Sequence, residues 1–312
     1  MNIFNNLKSR TFSAPMAGVT DKPFRQIIRH FGEHLIYTEM IGATSFVYGS
    51  KTTQRMICLS DEKQPIAIQL VGNTPKDMAK AAQEAQKQGA FLIDINMGCP
   101  VRKLISNMSG AALMQEPYKA AEIVEAVKKA VDIPVTVKTR LGIDEKHINI
   151  VEFAKYIQDA GADAITIHGR TKAQGYSGKA DWTIIREVKK QLSIPIIANG
   201  DIINHKSAKE CLDITKADGI MVGRGILGKP WILAEIDEKK MNFCLSDIIL
   251  EHFERLLSYY GDKGLFIARK HLAWYASSHS FVAQFRRSVY TETKKENVKA
   301  LILEFFGNVR ND

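Results

Sequence analysis

Short apolar runs recur through most of this 312-residue chain, each separated from the next by a longer stretch with helical spacing. The runs fall at residues 11–19, 35–40, 66–71, 91–97, 135–141, 164–169, 196–200 and 219–222. Each is too short for an ordinary helix, and most are rich in Ile and Val. That is the pattern of strands buried on both faces of a parallel sheet. The phrases QKQGAFLIDI, QDAGADAITI and TKADGIMVG share one grammar of polar helix end, small residues and strand. VDIPVTVK and LSIPIIANG share another, with proline at a strand start, where a missing N–H is tolerated. Thr74-Pro75 is expected to open a helix that ends near Gln88 at Gly89, and Glu116-Pro117 one that reaches Val131.

Eight such units predict a TIM (β/α)8 barrel, with an open doubly wound sheet as the alternative. The alternation stops near Ile236, and a charged stretch, DEKKMNF, follows. Beyond it Ile249, Phe253, Leu256, Leu257 and Tyr260 share one helical stripe, and Val298, Leu301, Ile302 and Phe305 another. The expected organisation is a catalytic barrel over residues 1–242 and a small all-helical domain over residues 243–312.

The apolar share of 45% and charged share of 25% match a globular protein with a large core and exclude wholesale disorder. The net charge of +9 favours a polyanionic partner such as nucleic acid. The four cysteines, Cys58, Cys99, Cys211 and Cys244, are too scattered for a disulfide scaffold, a CxxC pair or a zinc site, so no metal is expected. No stretch approaches a membrane span and MNIFNNLKSRTF has no signal-like apolar segment, so a cytoplasmic protein without a membrane partner is expected.

In a barrel of this type the reactive groups lie at the carboxyl ends of the strands. Those ends carry Pro15-Met16-Ala17, Gln69, Asn96 with Cys99, Lys138 with Arg140, His168 with Arg170, Asn199-Gly200-Asp201 and Gly223-Arg224. Glycine-rich ends after strands seven and eight suit a phosphate, because backbone N–H groups can approach it closely. Gly223–Gly228 also spells GxGxxG, but no further βαβ unit follows, so a dinucleotide-binding Rossmann unit is not expected. A lysine at the place of Lys138 calls for an anionic partner or a route to solvent. Cys99, held between Gly98 and Pro100 and near basic residues, could exchange a proton near neutral pH. The other cysteines have no such setting.

The motifs APMAGVTDKPFR, IQLVG, DINMGCP, VKTRLG, ITIHGRT, ANGDI and MVGRGILGKPW together resemble the tRNA-dihydrouridine synthases, and RKHLAWY resembles the bacterial B-type branch. The resemblance covers nearly the whole chain. It implies an FMN-containing barrel, NADPH or NADH as reductant, tRNA as substrate and a helical domain that grips it. Under it, Pro15, Met16 and Ala17 line the flavin edge, and Gln69 and Lys138 bond its polar edge. Asn199, Gly200, Asp201, Gly223 and Arg224 hold the phosphate end, and His168 lies beside flavin and substrate. Cys99 is then the general acid that protonates uracil C5 after hydride reaches C6. Asn96, Arg140, Arg170, Arg269, Lys270, His271, Arg286 and Arg287 are the expected substrate contacts. In the tail these basic residues alternate with Trp274, Tyr275 and Phe285, which suits phosphate contacts and base stacking.

The segment 101–110, VRKLISNMSG, departs from the lysine-rich stretch of many relatives, so nothing carries over to this loop or to the choice of uridine. No protein partner is expected, and the chain is expected to act as a monomer. Two other functions fit the residues at this level: a flavoenzyme acting on free pyrimidines, and a non-catalytic RNA-binding barrel. The helical tail argues against the first, and a functional Cys99 against the second.

Overall fold

The computed structural model describes residues 3–307 and 310–311. The outer ends of the two expected units, residues 1–2 and 308, 309 and 312, lie outside the described residues. Eight parallel strands form the barrel: β1 (Thr11–Ser13), β2 (Ile36–Gly42), β3 (Ile66–Val71), β4 (Leu92–Met97), β5 (Val135–Thr139), β6 (Ala164–His168), β7 (Ile196–Asn199) and β8 (Gly219–Val222). They pair in the order β1-β8-β7-β6-β5-β4-β3-β2. The last seam, between β1 and β2, is closed by the Ser13 N–H donating to the Leu35 carbonyl at 3.2 Å and the Tyr37 N–H donating to Ser13 Oγ at 3.0 Å.

Two strands, β3 and β8, occupy their expected residues, whereas β1 stops six residues short. The cause is local. The Ala14 N–H still reaches the Val222 carbonyl, but Pro15 has no N–H. The chain then turns, with the Val19 and Thr20 N–H groups both donating to the Met16 carbonyl.

Helices α1 (Lys22–Arg29), α4 (Pro75–Lys87), α6 (Pro117–Ala130), α7 (Ile150–Asp159), α8 (Trp182–Gln191), α9 (His205–Thr215) and the short α10 (Ile232–Ile236) cover the barrel. Short helices α2 (Ala43–Val47) and α3 (Lys51–Ile57) lie between β2 and β3, and α5 (Arg102–Ser106) lies within the segment after Cys99. Asp21 and Asp181 cap α1 and α8 by accepting backbone N–H bonds. Thr74, expected to cap α4, donates its hydroxyl to Asn73 instead and makes no cap bond. Pro75 nonetheless starts the helix where expected.

Strand parity divides the barrel. Outward residues such as Ile93, Ile95 and Met97 meet the helices in one large core. Inward residues form a second, with Phe12, Leu35, Ala67, Leu92, Ala164 and Ile197 at its base. Above that apolar base the inward positions become Gln69, Asp94, Asn96, Thr136, Lys138, Thr166, His168 and Asn199, all polar and most of them buried. A parallel barrel whose interior changes from apolar to polar along its axis has a base for stability and a mouth for chemistry.

Helices α11 (Leu245–Tyr260), α12 (Lys263–Tyr275), α13 (Val282–Thr291) and α14 (Lys295–Phe306) follow. They share a separate apolar core, in which Ile249, Phe253, Leu256, Leu272, Phe285, Val298, Ile302 and Phe306 are buried. In α14 the buried stripe runs through Phe306, with Leu301 and Phe305 only partly covered. A two-residue antiparallel pairing joins Phe243–Cys244 to Arg310–Asn311.

The tail packs on α1. The Tyr260 hydroxyl donates to Asp21 at 3.0 Å, Arg255 to Gln26 at 2.9 Å, and Lys270 to the Gly18 carbonyl beside the mouth. The chain after β8 presses directly on α12: a β-carbon at Gly228 would collide with the Trp274 carbonyl. No helix of the described residues is long and apolar enough to cross a membrane.

Candidate active site at the barrel mouth

A cleft of about 240 Å3 opens at the carboxyl ends of the strands. Its walls bring together Pro15, Met16, Lys138, Arg140, His168, Asn199, Gly200, Asp201, Gly223 and Arg224, all singled out in the sequence, and add Tyr176.

Lys138 is the cation at its floor. Its ammonium donates to Asn199 Oδ1 at 3.0 Å, and the Asn199 amide in turn donates to the Met221 carbonyl at 2.8 Å. Burial and the neighbouring Arg140 push Lys138 down to about 8, against the pull of Asp94 and Cys99. His168 is pushed down to about 2, first by burial and then by Lys138, Arg140, Arg170 and Arg224. It is therefore neutral at physiological pH and can act as a hydrogen-bonding group without charge.

The arginines behave differently from one another. Arg140, 4% exposed, is locked by carbonyls: its Nε donates to Gly98, and one Nη to both Thr171 and Gly175, each at 2.9 Å. Arg170 is 2% exposed and points behind the cleft, where one Nη donates to both Asp201 oxygens at 2.8 Å. Its other Nη is buried without a partner. Arg224 is half-exposed at the rim, 3.6 Å from Asp201, with Tyr176 lying 4.7 Å from its guanidinium.

These contacts show how two of the expected site residues are engaged. Arg170 is a buried countercharge for Asp201. Asp201, expected at a phosphate, spends its carboxylate on Arg170, on the Ala180 N–H at 2.7 Å and on Arg224. A bare carboxylate would repel a phosphate; here it orients the arginine that would attract one.

Cys99 lies outside the cleft lining, on the loop after β4. Its N–H donates to Asn96 Oδ1 at 3.0 Å and its carbonyl accepts from Ala111 at 3.1 Å. It is partly exposed, within electrostatic reach of Lys138 and Arg140. Gly110, at φ +60°, backs it closely: a β-carbon there would come within 2.9 Å of the Cys99 carbonyl oxygen. Ala17 is exposed on the loop above β1. Gln69, expected to bond a flavin edge, has both ends of its amide engaged inside the barrel, by Asp94 and Asn96.

Asp94 and Tyr176 are the residues that sequence reasoning missed. Asp94 shares the inward parity of Asn96 in a buried strand, which is a usable signal. Tyr176 sits in a polar loop and carries no such signal.

In the tail, Arg286 and Arg287 are exposed. Arg269 donates to the Glu292 carbonyl at 2.9 Å, and Lys270 to Gly18. His271, expected among the substrate contacts, is 2% exposed and packed against Phe24, His252 and Trp274 at the joint with α1. Burial holds its imidazole well below the ordinary range. Among the described residues no group of three or more His, Cys, Asp or Glu side chains converges as a metal ion would require.

The family model described as dihydrouridine synthase matches residues 12–309. The chain belongs to the dihydrouridine synthase family. It is thus an enzyme of the oxidoreductase class. It is 43% identical to a probable tRNA-dihydrouridine synthase of Rickettsia bellii, over 98% of this chain and 97% of that protein. It is 42% identical to tRNA-dihydrouridine synthase B of Pasteurella multocida, over 97% of this chain and 94% of that one. Among solved structures, morphinone reductase shares the fold, with a TM-score of 0.55 at 13% identity over 78% of this chain and 90% of that chain. A member of the dihydrouridine synthase family thus presents a cationic cleft at its barrel mouth with a partly exposed thiol beside it.

Proposed function

We propose that this chain reduces specific uridines of tRNA to 5,6-dihydrouridine, with FMN at the barrel mouth, NADPH or NADH as reductant and Cys99 as proton donor. One observation carries the reading. Three cations, Lys138, Arg140 and Arg224, line the cleft together with a neutral His168, next to Cys99. Of the carboxylates in contact with them, Asp201 is committed to Arg170 and Arg224. A site with that surplus is built for an anion.

The residues fit FMN. A β-carbon on Gly223 would find nothing nearer than 3.9 Å, so a phosphate can approach its backbone. Arg224, oriented by Asp201, would add a charged donor at that end, beside Asn199 and Gly200. Lys138 would face the polar edge of the ring, and Pro15 and Met16 its side. When bound, FMN supplies the hydride that reduces uracil at C6.

The chain's own residues do the rest. Negative charge developing toward C5 and O4 calls for a proton at C5, and the Cys99 thiol delivers it. Lys138 and Arg140 stabilise the thiolate left behind, since both cations lie within electrostatic reach of it. A base inside folded tRNA must leave its stack to reach this mouth. Residues 1–242 form the catalytic unit, and residues 243–312 grip the tRNA through Arg286 and Arg287 at the surface. Arg269 and Lys270 lie on α12, toward the mouth, and Asn96 supports the substrate side through Cys99. The chain works as a cytoplasmic monomer. Relatives named as tRNA-dihydrouridine synthases support tRNA as the substrate.

The test uses the full-length protein, NADPH and tRNA lacking dihydrouridine. Wild type should carry a flavin absorption band and add two hydrogens per modified uridine. Cys99→Ala should keep the band and lose the product. A colourless protein, or a Cys99→Ala variant of undiminished activity, would overturn the reading.

A further inference from the structure

Strand register lines up a chain of polar side chains beneath Cys99. Gln69 on β3, Asp94 on β4 and Thr136 on β5 are direct neighbours across the sheet, and Asn96 and Lys138 form the next inward pair above them. Gln69 Nε2 donates to Asp94 Oδ2 at 2.7 Å, and Asn96 Nδ2 donates to Gln69 Oε1 at 2.8 Å. Asn96 Oδ1 then accepts the N–H groups of Gly98 and Cys99, at 3.2 and 3.0 Å. The Thr136 hydroxyl fills the other oxygen of Asp94 at 2.6 Å.

Chemistry fixes the direction of this chain from both ends. Backbone N–H groups can only donate, so Asn96 must turn its oxygen toward them and its NH2 toward Gln69. Gln69 must then offer oxygen to Asn96 and NH2 to Asp94. That orientation is stable only if Asp94 accepts. Were Gln69 to flip, NH2 would face NH2, Asn96 would flip in turn, and its NH2 would meet the N–H groups of Gly98 and Cys99. Gln69 and Asp94 are buried at 1% and 0% exposure, so water cannot repair such a mismatch.

We propose that Asp94 is a positioning residue for Cys99, acting as the fixed acceptor that sets the Gln69 and Asn96 amides and so holds the Cys99 backbone against the barrel mouth. The inference rests on Cys99 being the proton donor. Asp94 works through its acceptor oxygen; its charge toward Lys138 is a separate contribution. Arg140 and Ala111 also hold this loop, through the carbonyls of Gly98 and Cys99. Loss of the chain should therefore misplace the thiol without unfolding the loop.

Three variants separate acceptor from charge. Asp94→Asn removes the charge but can still offer oxygen to Gln69 and NH2 to the Thr136 hydroxyl. Asp94→Ala removes the acceptor. Gln69→Met breaks the chain while leaving Asp94 charged. The readout is alkylation of Cys99 by iodoacetamide across pH in the full-length protein, without tRNA or reductant, resolved by peptide mass spectrometry. Cys58 and Cys244, both partly exposed, serve as internal references.

Asp94→Ala and Gln69→Met should each change the Cys99 rate about fivefold, the worth of one net hydrogen bond, and move the midpoint of its pH profile, with Cys58 and Cys244 unaffected. Asp94→Asn should stay within about twofold of wild type, since its hydrogen bonds persist. Wild-type alkylation in folded Asp94→Ala and Gln69→Met would overturn the proposal. So would Asp94→Asn behaving like Asp94→Ala, which would make Asp94 a countercharge only. If Asp94→Ala does not fold, Gln69→Met decides. An active Cys99→Ala enzyme would remove the functional reading and this inference with it. Unchanged alkylation alongside an inactive Cys99→Ala would remove the inference alone.

Discussion

The barrel mouth and the helical tail both carry arginines, but they use them in opposite ways. At the mouth, Arg140 and Arg170 are buried and held by carbonyls and by Asp201, although one Nη of Arg170 has no partner. In the tail, Arg286 and Arg287 are exposed, with a single bond from Arg286 to the Ala273 carbonyl at 3.2 Å. A buried guanidinium has given up its hydration, so its field acts at low dielectric and in one direction. An exposed one is screened within about 10 Å at ordinary salt and is readily replaced by a neighbour. The mouth is therefore suited to one small anion in one pose, and the tail to a long polyanion in many. Chemistry at the first needs exact placement, whereas grip at the second needs only summed charge.

The largest expected effect lies at the mouth. Cys99→Ala should lower the rate of uridine reduction by about a hundredfold to ten-thousandfold, the usual worth of a positioned general acid. Flavin content and NADPH oxidation should be unchanged, which single-turnover and absorbance measurements would check. Loss of flavin as well would make Cys99 a structural residue.

Next comes Asp201→Asn. It leaves Arg170 buried without its countercharge and frees Arg224 from its anchor, so chemical denaturation should show a loss of about 2 kcal/mol. Flavin should also bind more weakly. A variant as stable as wild type would place the order of the mouth elsewhere.

Acid should test mouth and joint together. His34 and His168 in the barrel and His252 and His271 at the joint all have imidazoles held below the ordinary 6.5, each chiefly by burial. The unfolded chain takes up protons below that pH and the fold does not, so these groups lower stability as pH falls below 6.5. Asp21 and Asp94, raised to about 6, act the other way between about 6 and 3.8. Four histidines outweigh two carboxyls, so stability should fall by about 1–3 kcal/mol per pH unit between about pH 6 and 4. Thermal melts across that range would show it. A flat profile would mean that these histidines are not neutral in the fold.

The smallest effect belongs to the tail surface. Arg286→Glu with Arg287→Glu should change stability by less than about 0.5 kcal/mol. It should weaken tRNA binding, and reduce the slope of log affinity against log salt by about one per lost phosphate contact. Equal tRNA affinity and equal salt slope would take these residues out of the grip and leave the contrast with the mouth one-sided.

Much of this molecule was legible in its residues, for reasons that differ from place to place. Hydrophobic spacing is a local property, and β3 and β8 fall on their expected residues for that reason. The polar strand ends converge on one rim because the fold brings all eight carboxyl ends together. His271 was not legible. A basic segment interleaved with aromatics reads equally as a nucleic-acid surface or as a buried joint, and only packing against Phe24 and His252 decides. Arg170 and Asp201 were hidden for a related reason. Their pairing joins the loop after β6 to the loop after β7, with helix α8 between them in the chain, and nothing in either motif announces the other.

The sequence by itself determined the alternation of strand and helix, the all-helical end and most of the residues that line the cleft. These follow from side-chain spacing and from the two free backbone dihedrals of each residue. The tertiary structure alone decided which cations remain free and which are already paired. It also decided that Gln69 joins Asp94 and Asn96 inside the barrel, and that the Cys99 N–H rests on an Asn96 amide bonded to Gln69 on the neighbouring strand. Hydrogen-bond partners across a barrel depend on register between distant segments, and register is fixed only when the strands close on one another.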